Sequence, residues 1–174
     1  MSQQGVPSRV IHDPFRFATE HRALQGEVQV ADLPRLADAL ASTEAALKWS
    51  LEGATVDGVQ GTEPRLRLTV AGELDLSCQR CLGGLAWPVQ LETVLQPVRA
   101  GQPIPEEELE DDQVDAIEID GDLDVLALLE DEVLLAMPIA PRHQVCELPS
   151  PAGAASKESP FAALASLRGS PSAK

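Results

Sequence analysis

Two cysteines separated by two residues are the strongest candidates for chemistry in this sequence. Cys78 and Cys81 lie in the run Cys-Gln-Arg-Cys-Leu-Gly-Gly, between two segments that alternate apolar and polar residues. Two thiolates at this spacing on a glycine-bearing turn can face one tetrahedral Zn²⁺. His143 and Cys146 supply a second pair at suitable spacing further along the chain. The sequence therefore predicts a structural zinc site with the ligands Cys78, Cys81, His143 and Cys146.

Two other interpretations of the cysteines remain open. Cys78 and Cys81 can be small, half-buried residues of a hairpin, with Cys146 as a loop thiol. A Cys-x-x-Cys pair can also cycle through a disulfide, but that use favours the start of a helix, whereas the flanking segments here predict strands. An odd number of cysteines, three in all, favours metal ligands or free thiols over a disulfide framework.

Arginines form a second group of candidates, for contact with RNA phosphates. Guanidinium groups bind phosphate oxygens in fork geometry, although each arginine alone can equally be a surface charge paired with a carboxylate. If the N-terminal segment and one strand face converge, these residues would form a modest RNA-binding patch. The candidate contacts are Arg9, Arg16, Arg65, Arg67 and Arg80, and Arg22, His12 and His21 add to the basic character of the N-terminal segment.

A complete enzyme site is missing from the sequence. It contains no phosphate-binding Gly-Lys-Ser loop, no serine in a nucleophile elbow and no pair of histidines at helical spacing. The abundant carboxylates are concentrated in one segment, where solvation is more usual than a tuned pKa. We therefore expect a non-catalytic protein.

The net charge of −15 is concentrated in one segment. Fourteen of the 28 acidic residues lie between residues 106 and 132, which contain no Lys or Arg, and the remainder holds 14 acids against 13 bases. Because electrostatic fields act locally, a neutral-to-basic surface can remain elsewhere for RNA. The acidic segment is either a solvated loop and helix surface or a surface that meets a basic ribosomal protein.

Length and composition predict one soluble, cytoplasmic domain. A 174-residue chain with 44% hydrophobic residues can bury a core. No secretory signal and no membrane-spanning stretch is readable, so no membrane is expected as a partner. DNA is not expected as a partner either. With two Trp, three Phe and no Tyr, stacking of bases on aromatic rings is nearly excluded.

Apolar periodicity predicts two main helices and a sheet. The first helix runs from residue 33 to about 45 behind an Asp32 cap, and the second starts at an Asp122 cap and ends before Pro138. Residues 1–26 predict an extended arm with local pairing. Alternation predicts strands at 27–30, 47–51, 66–78, 85–91 and 114–119.

The sheet is expected to be an antiparallel meander with one packed face. A bulge at Gly72 would bend its long strand toward a barrel. We therefore expect an α+β domain over residues 1–146, with an antiparallel, barrel-like sheet.

The C-terminal residues 147–174 predict a linker followed by a short helix. Residues 147–159 are rich in Pro, Ala, Ser and Gly, as flexible linkers are. Ser159 and Pro160 then fit the cap and first position of a helix with an apolar side. Such a helix is too short to be stable alone, so it needs a docking surface on this protein or on a partner.

Four segments of the sequence, taken in order, form a combined pattern. They are Ile11-His12-Asp13-Pro14-Phe15-Arg16 with Gly26 and Leu33-Pro34-Arg35-Leu36; Cys78 to Leu82; Asp124 to Pro138; and Ser159 to Arg168. Together these segments resemble the YceD family of large ribosomal RNA subunit accumulation proteins. Family proteins typically have Asn where Ser159 stands, and either residue can cap a helix.

This resemblance implies a role in the synthesis, processing or stability of 23S rRNA, and so in assembly of the large ribosomal subunit. It implies no reaction. The expected partner is 23S rRNA or a large-subunit precursor. The alternative is an acidic adaptor or chaperone that holds a basic ribosomal protein without touching RNA. Some relatives have additional cysteines after the second helix, where this chain has only His143 and Cys146.

Overall fold

The computed structural model describes residues 9–58, 61–102 and 114–147. The C-terminal linker from residue 148 onward and the expected docking helix lie outside the described residues, as does the acidic loop at 103–113. The mixture of helices and strands confirms the α+β class. In chain order the elements are β1 (Val10–Ile11), α1 (Pro14–Thr19), β2 (Ala23–Gln29), a 3-10 turn (Val30–Asp32), α2 (Pro34–Ala39), β3 (Leu40–Ser42), β4 (Ala46–Gly58), β5 (Gly61–Ser77), β6 (Gly84–Arg99), β7 (Val114–Ile119), β8 (Leu123–Asp124) and α3 (Val125–Ala136).

One large sheet carries most of the fold. Its strands follow the order β2-β4-β5-β6-β7, with β3 paired to β5, and β1 and β8 form a separate two-stranded sheet. The predicted meander of β4, β5 and β6 is confirmed, while β7 pairs with β6 in parallel. The described strands do not close into a barrel, so the barrel-like shape is not confirmed.

Alternation of side chains along the strands builds the core. On the inner face of the sheet, Leu47 and Leu51 of β4 and Leu66 and Leu68 of β5 are fully buried. Helix α3 covers this face, and its Leu129 and Val133 belong to the same buried cluster. Burial of this apolar area is the main source of stability.

Gly72 does not form the predicted bulge. The pairing between β5 and β6 continues without a register shift from Ala71 through Gly72 to Glu73. A β-carbon on Gly72 would instead lie 2.7 Å from Cδ2 of Leu47. The glycine is therefore needed for close packing of the Leu47 side chain, and this tertiary contact could not be read from the strand pattern.

The expected N-terminal arm is folded where the structure describes it. Residues 14–19 form α1, whose cap is Asp13: its Oδ1 accepts from the Arg16 N–H at 2.9 Å. Phe17 is buried, and a β-carbon on Gly53 would lie only 2.5 Å from the Phe17 carbonyl oxygen. The sequence did not predict this helix because its six residues are too few for a readable period.

The first predicted helix is shorter than expected. It ends at Ala39, because Leu40 enters β3 and pairs with Leu76 of β5. Asp32 does not cap it: the cap position is Leu33, which makes no side-chain cap bond. Sheet pairing has overridden local helical spacing at this point.

The second predicted helix is confirmed as α3, but its cap is different. Asp124, not Asp122, accepts from the N–H groups of Leu126 and Ala127 through Oδ1, at 2.9 and 3.2 Å. The helix ends at Ala136, ahead of Pro138, as predicted.

Candidate functional site

The four residues of the predicted zinc site come together in the structure. Cys78, Cys81, His143 and Cys146 each offer one ligand atom, and these atoms all lie within 4.8 Å of one another. Residues 62 or more positions apart in the sequence are thus united by the fold. The result is a Cys₃His group that could bind a metal ion.

Two distances within this group fit the edges of a tetrahedral metal site. The sulfurs of Cys78 and Cys146 are 3.8 Å apart, and the Cys81 sulfur is 3.4 Å from Nδ1 of His143. With Zn–S bonds of about 2.3 Å and Zn–N bonds of about 2.0–2.1 Å, the S···S and S···N edges of a tetrahedron are about 3.8 and 3.6 Å. The two observed distances match these edges closely.

A turn at the end of the β5–β6 hairpin positions the first two ligands. The Cys78 carbonyl accepts from the Leu82 N–H and the Cys78 N–H donates to the Gly83 carbonyl, both at 2.9 Å. Leu82 closes this turn in the left-handed region, with φ of 61°. Both cysteines therefore face the same side of the turn.

The segment after α3 supplies the other two ligands. It leaves the helix before Pro138 and runs beside the hairpin turn, where the Gln79 N–H donates to the Pro141 carbonyl at 2.8 Å. This backbone bond fixes the approach of the two segments. His143 and Cys146 follow within five residues.

A hydrogen bond to a backbone carbonyl holds His143 in the tautomer that a metal ligand needs. Its Nε2 lies 3.0 Å from the carbonyl oxygen of Gly84, which can only accept, so Nε2 carries the proton. In the neutral ring Nδ1 then has a free lone pair, and it is Nδ1 that faces the Cys81 sulfur. A ligating histidine with its second nitrogen bonded to a carbonyl is the usual arrangement in metal sites.

The surroundings of Cys78 favour the thiolate. Backbone N–H groups of Cys81 first, and also of His143 and Arg80, lower the pKa of Cys78 to about 5, against the opposing effect of burial. The pKa of Cys146 is raised, because burial and the hydrogen bonds to Cys78 and Cys81 disfavour a second negative charge. A cation would remove this repulsion, since metal ligation requires deprotonated sulfur.

Four protein ligands leave no open position on a tetrahedral metal. Closed sites of this kind are structural, whereas catalytic zinc keeps a position for water or substrate. The context of Cys78 and Cys81 is strand-turn-strand, as the sequence predicted.

The candidate RNA contacts do not form one patch. Arg65 and Arg67 alternate with the buried Leu66 and Leu68, so they lie on the outer face of the sheet, opposite α1 and α3. Helix α1 packs on the inner face against Gly53. The convergence of the N-terminal segment with this strand face, on which the predicted patch depended, is therefore not observed.

Three of the five candidate arginines pair with carboxylates. Arg16 binds Glu20 at 2.6 Å, Arg65 binds Glu63 at 2.9 Å, and Arg67 pairs with Glu92. Hydrogen bonding to Glu20 raises the pKa of Arg16, which keeps its charge. Among the described residues charge is thus more mixed than the linear sequence suggests.

Arginines and two phenylalanines meet around α1. Arg99 lies over the Phe15 ring with its guanidinium carbon 4.2 Å from the centroid, and Arg22 lies over Phe17 at 5.6 Å. A cavity of about 390 Å³ includes Arg16 and Arg22 in its lining, and a neighbouring cavity of about 350 Å³ includes Arg99. The two cavities share His12 and Asp13. We give the name α1 surface to the exposed Arg22 and Arg99 together with the exposed Arg9, which directly precedes Val10 of the first cavity's lining.

None of the three arginines of the α1 surface pairs with a carboxylate in the parts of the chain that the structure describes. The same is true of Arg80 at the hairpin turn. Arg99 was missed by sequence reasoning, because it ends a strand far from the N-terminal segment and only the fold brings it to Phe15.

Within the described ranges, no helix is long and apolar enough to cross a membrane.

The fold and the site define a small α+β protein with a Cys₃His group that could bind a metal ion. The family model for the large ribosomal RNA subunit accumulation protein YceD matches residues 66–168, more than half of the chain. The chain belongs to the YceD family, which confirms the resemblance seen in the sequence.

A curated relative supports the same assignment. The large ribosomal RNA subunit accumulation protein YceD of Haemophilus influenzae is 27% identical over 175 residues, covering 90% of this chain and 93% of that protein. No solved structure matches the chain.

Proposed function

We propose that this protein is a non-catalytic factor that supports accumulation of 23S rRNA during assembly of the large ribosomal subunit, by direct contact with that RNA or its precursor. The name of the family and of its Haemophilus relative supports the ribosomal role. The observation that carries direct contact is the α1 surface, where Arg9, Arg22 and Arg99 are exposed and pair with no carboxylate among the described residues.

The α1 surface would bind phosphates rather than read bases. Guanidinium groups bind phosphate oxygens well, and such contacts position a protein without specifying sequence. The Phe15 ring is half-buried and already covered by Arg99, so it offers little area for a base. Recognition would then depend on the shape of the folded RNA.

A zinc ion at the Cys₃His group belongs to this proposal as a structural part. Cys78, Cys81, His143 and Cys146 would hold it, and it would supply a cross-link between the β5–β6 hairpin and the segment after α3. The matching tetrahedral distances and the protonated Nε2 of His143 support zinc. No chemical step is assigned to the ion.

The adaptor alternative has one observation in its favour. In the described part of the acidic segment, Asp115, Glu118 and Asp120 lie exposed along or just after β7, which is an edge strand of the sheet. A basic segment of a ribosomal protein could meet these carboxylates. Salt-sensitive binding to a purified ribosomal protein, with none to 23S rRNA fragments, would favour this function over direct RNA contact.

Sedimentation of a cell lysate tests the proposal at the level of the ribosome. We expect the protein to travel with large-subunit precursors, and cells lacking it to hold less 23S rRNA relative to 16S rRNA. An Arg99→Ala protein should shift toward the top of the gradient, whereas Arg67→Ala, on the outer face, should not. A protein that stays at the top in every case contradicts the proposal.

A further inference from the structure

Exposed apolar side chains occur on the two parts of the chain that carry the Cys₃His group, the hairpin turn and the stretch from the last turn of α3 onward. Five large apolar side chains are exposed among the described residues, and all but Val56 occur here: Leu82 at 71%, Leu135 at 80%, Ile139 at 103% and Val145 at 92%. Leu82 belongs to the hairpin turn, Leu135 lies in the last turn of α3, and the other two lie in the segment that follows it. We call these four residues the apolar patch. Apolar exposure concentrated in one region usually marks an interaction site.

We propose that residues 159–168 of this same chain, the C-terminal segment, dock on the apolar patch. This inference rests neither on RNA contact nor on bound zinc. The segment lies outside the described residues and reads Ser-Pro-Phe-Ala-Ala-Leu-Ala-Ser-Leu-Arg. At 3.6 residues per turn, Phe161, Leu164 and Leu167 share one side, with Leu164 at its centre. The three large apolar side chains on this side of the C-terminal segment would cover the four exposed apolar side chains of the apolar patch.

The path of the chain favours docking within the molecule. The last described residue, Glu147, directly follows Cys146 and is two positions from Val145 of the patch. Thirteen residues, 147–159, then lead to Pro160. The composition of these residues predicts a flexible linker, and a flexible linker of that length has a root-mean-square span of about 20 Å. The C-terminal segment is therefore held at high local concentration next to the patch, which favours it over a free partner.

The extent of the family match is an independent observation. The match to the YceD model begins in β5 and ends at residue 168, the last residue of the C-terminal segment. It thus includes the cysteine turn, the patch and the segment, and leaves out residues 169–174. The family match therefore includes the linker and the C-terminal segment. This is expected if the segment packs on the folded domain.

Hydrogen–deuterium exchange on the full-length protein tests the proposal with two matched pairs. Leu164→Asp places a charge at the centre of the apolar side, and Ser166→Asp places the same charge on the opposite side. Ile139→Asp alters the patch, and Val56→Asp alters an exposed apolar residue of β4. Ile139 and Val56 are exposed, so the described fold should survive a change at either position. Leu164 and Ser166 lie outside the described residues.

In the unaltered protein we expect amides of residues 161–168 to exchange at least about ten-fold more slowly than in an unstructured chain. Leu164→Asp and Ile139→Asp should remove this protection, and Leu164→Asp should also speed exchange at residues 79–84 and 137–146. The two control variants should leave both regions unchanged. Full-rate exchange of the segment in the unaltered protein overturns the proposal. So does protection that rises with protein concentration, which indicates a second copy, or that appears only when large-subunit precursors are added.

Discussion

The Arg35 guanidinium and the Glu130 carboxylate form an ion pair, with Nε 2.9 Å from Oε2, that joins α2 to α3. The other carboxylate oxygen of Glu130 accepts from the Leu36 N–H at 2.9 Å. Only 6% of the Glu130 side chain is exposed. One buried carboxylate thus accepts from an N–H in the first turn of α2, whose cap residue Leu33 makes no side-chain cap bond.

Replacing Glu130 with Ala should therefore destabilise the fold. A buried N–H loses its partner and Arg35 loses one of its two carboxylates, so we expect about 2–4 kcal/mol less stability, in the range for a broken buried charged bond. Urea denaturation measures this change. Asp131→Ala is the matched control, since Asp131 is 52% exposed and should cost less than about 1 kcal/mol. Equal effects of the two variants would contradict this role of Glu130.

The Cys₃His group predicts one zinc per chain by elemental analysis of the full-length protein. His143→Asn should lose the zinc, whereas His21→Asn should keep it, because His21 lies in the loop after α1 and its left-handed φ of 50° suits Asn. Removing zinc with a chelator should lower the Tm by more than about 5 °C, since each kcal/mol corresponds to about 2–4 °C in a chain of this size. A metal-free protein whose Cys78→Ser and Cys81→Ser variant is fully stable would exclude a structural metal.

Glu132 predicts a pH dependence of stability. Its pKa is raised, mainly by burial, with smaller contributions from Asp115 and Asp131 and an opposing hydrogen bond from Thr93. The folded protein therefore binds a proton at the Glu132 carboxyl more tightly than the unfolded chain does. The stability that comes from this protonated carboxyl is fully present at acid pH and is lost as the pH rises through the pKa of the folded state.

Glu132→Gln keeps an oxygen to accept from Thr93 and removes the charge. The variant should be more stable than the unaltered protein at pH 7, by less than about 1 kcal/mol because the group is partly hydrated. This gain should shrink as the pH falls toward the ordinary glutamate range. Denaturation at several pH values checks it, and a gain that does not vary with pH would refute the assignment.

The α1 surface predicts a salt-dependent RNA affinity. Loss of one phosphate contact in Arg99→Ala should reduce the slope of log K against log salt by about 0.7–0.9. Arg67→Ala should leave the slope unchanged, because Arg67 lies on the opposite face of the sheet and pairs with Glu92. Titration of 23S rRNA fragments at several salt concentrations measures both slopes. Identical slopes for the two variants would exclude Arg99 from the interface.

The strands could be predicted from the sequence far better than the short helices. In β4 and β5 the period of two is enforced by a face that is wholly buried at Leu47, Leu51, Leu66 and Leu68. Helix α1 has six residues, and α2 is cut short where Leu40 pairs with Leu76. Neither feature has a local pattern, because both depend on distant strands.

The Cys₃His group could be predicted from the sequence, but the α1 surface could not. Ligand spacing is a local property, so each half of the Cys₃His group could be recognised, and only their union needed the fold. An arginine has no such signature: Arg16 and Arg67 are neutralised by Glu20 and Glu92, while Arg99 reaches Phe15 from the far end of β6. Which arginines remain unpaired is decided by tertiary contacts.

Crosslinking in living cells tests direct RNA contact most directly. Ultraviolet crosslinking of the full-length protein, followed by sequencing of the attached RNA, should recover 23S rRNA or its precursor. A variant with Arg9, Arg22 and Arg99 changed to Ala should recover much less, while Arg65 and Arg67 changed to Ala should recover as much as the unaltered protein. Recovery of no large-subunit rRNA by the unaltered protein would contradict the account.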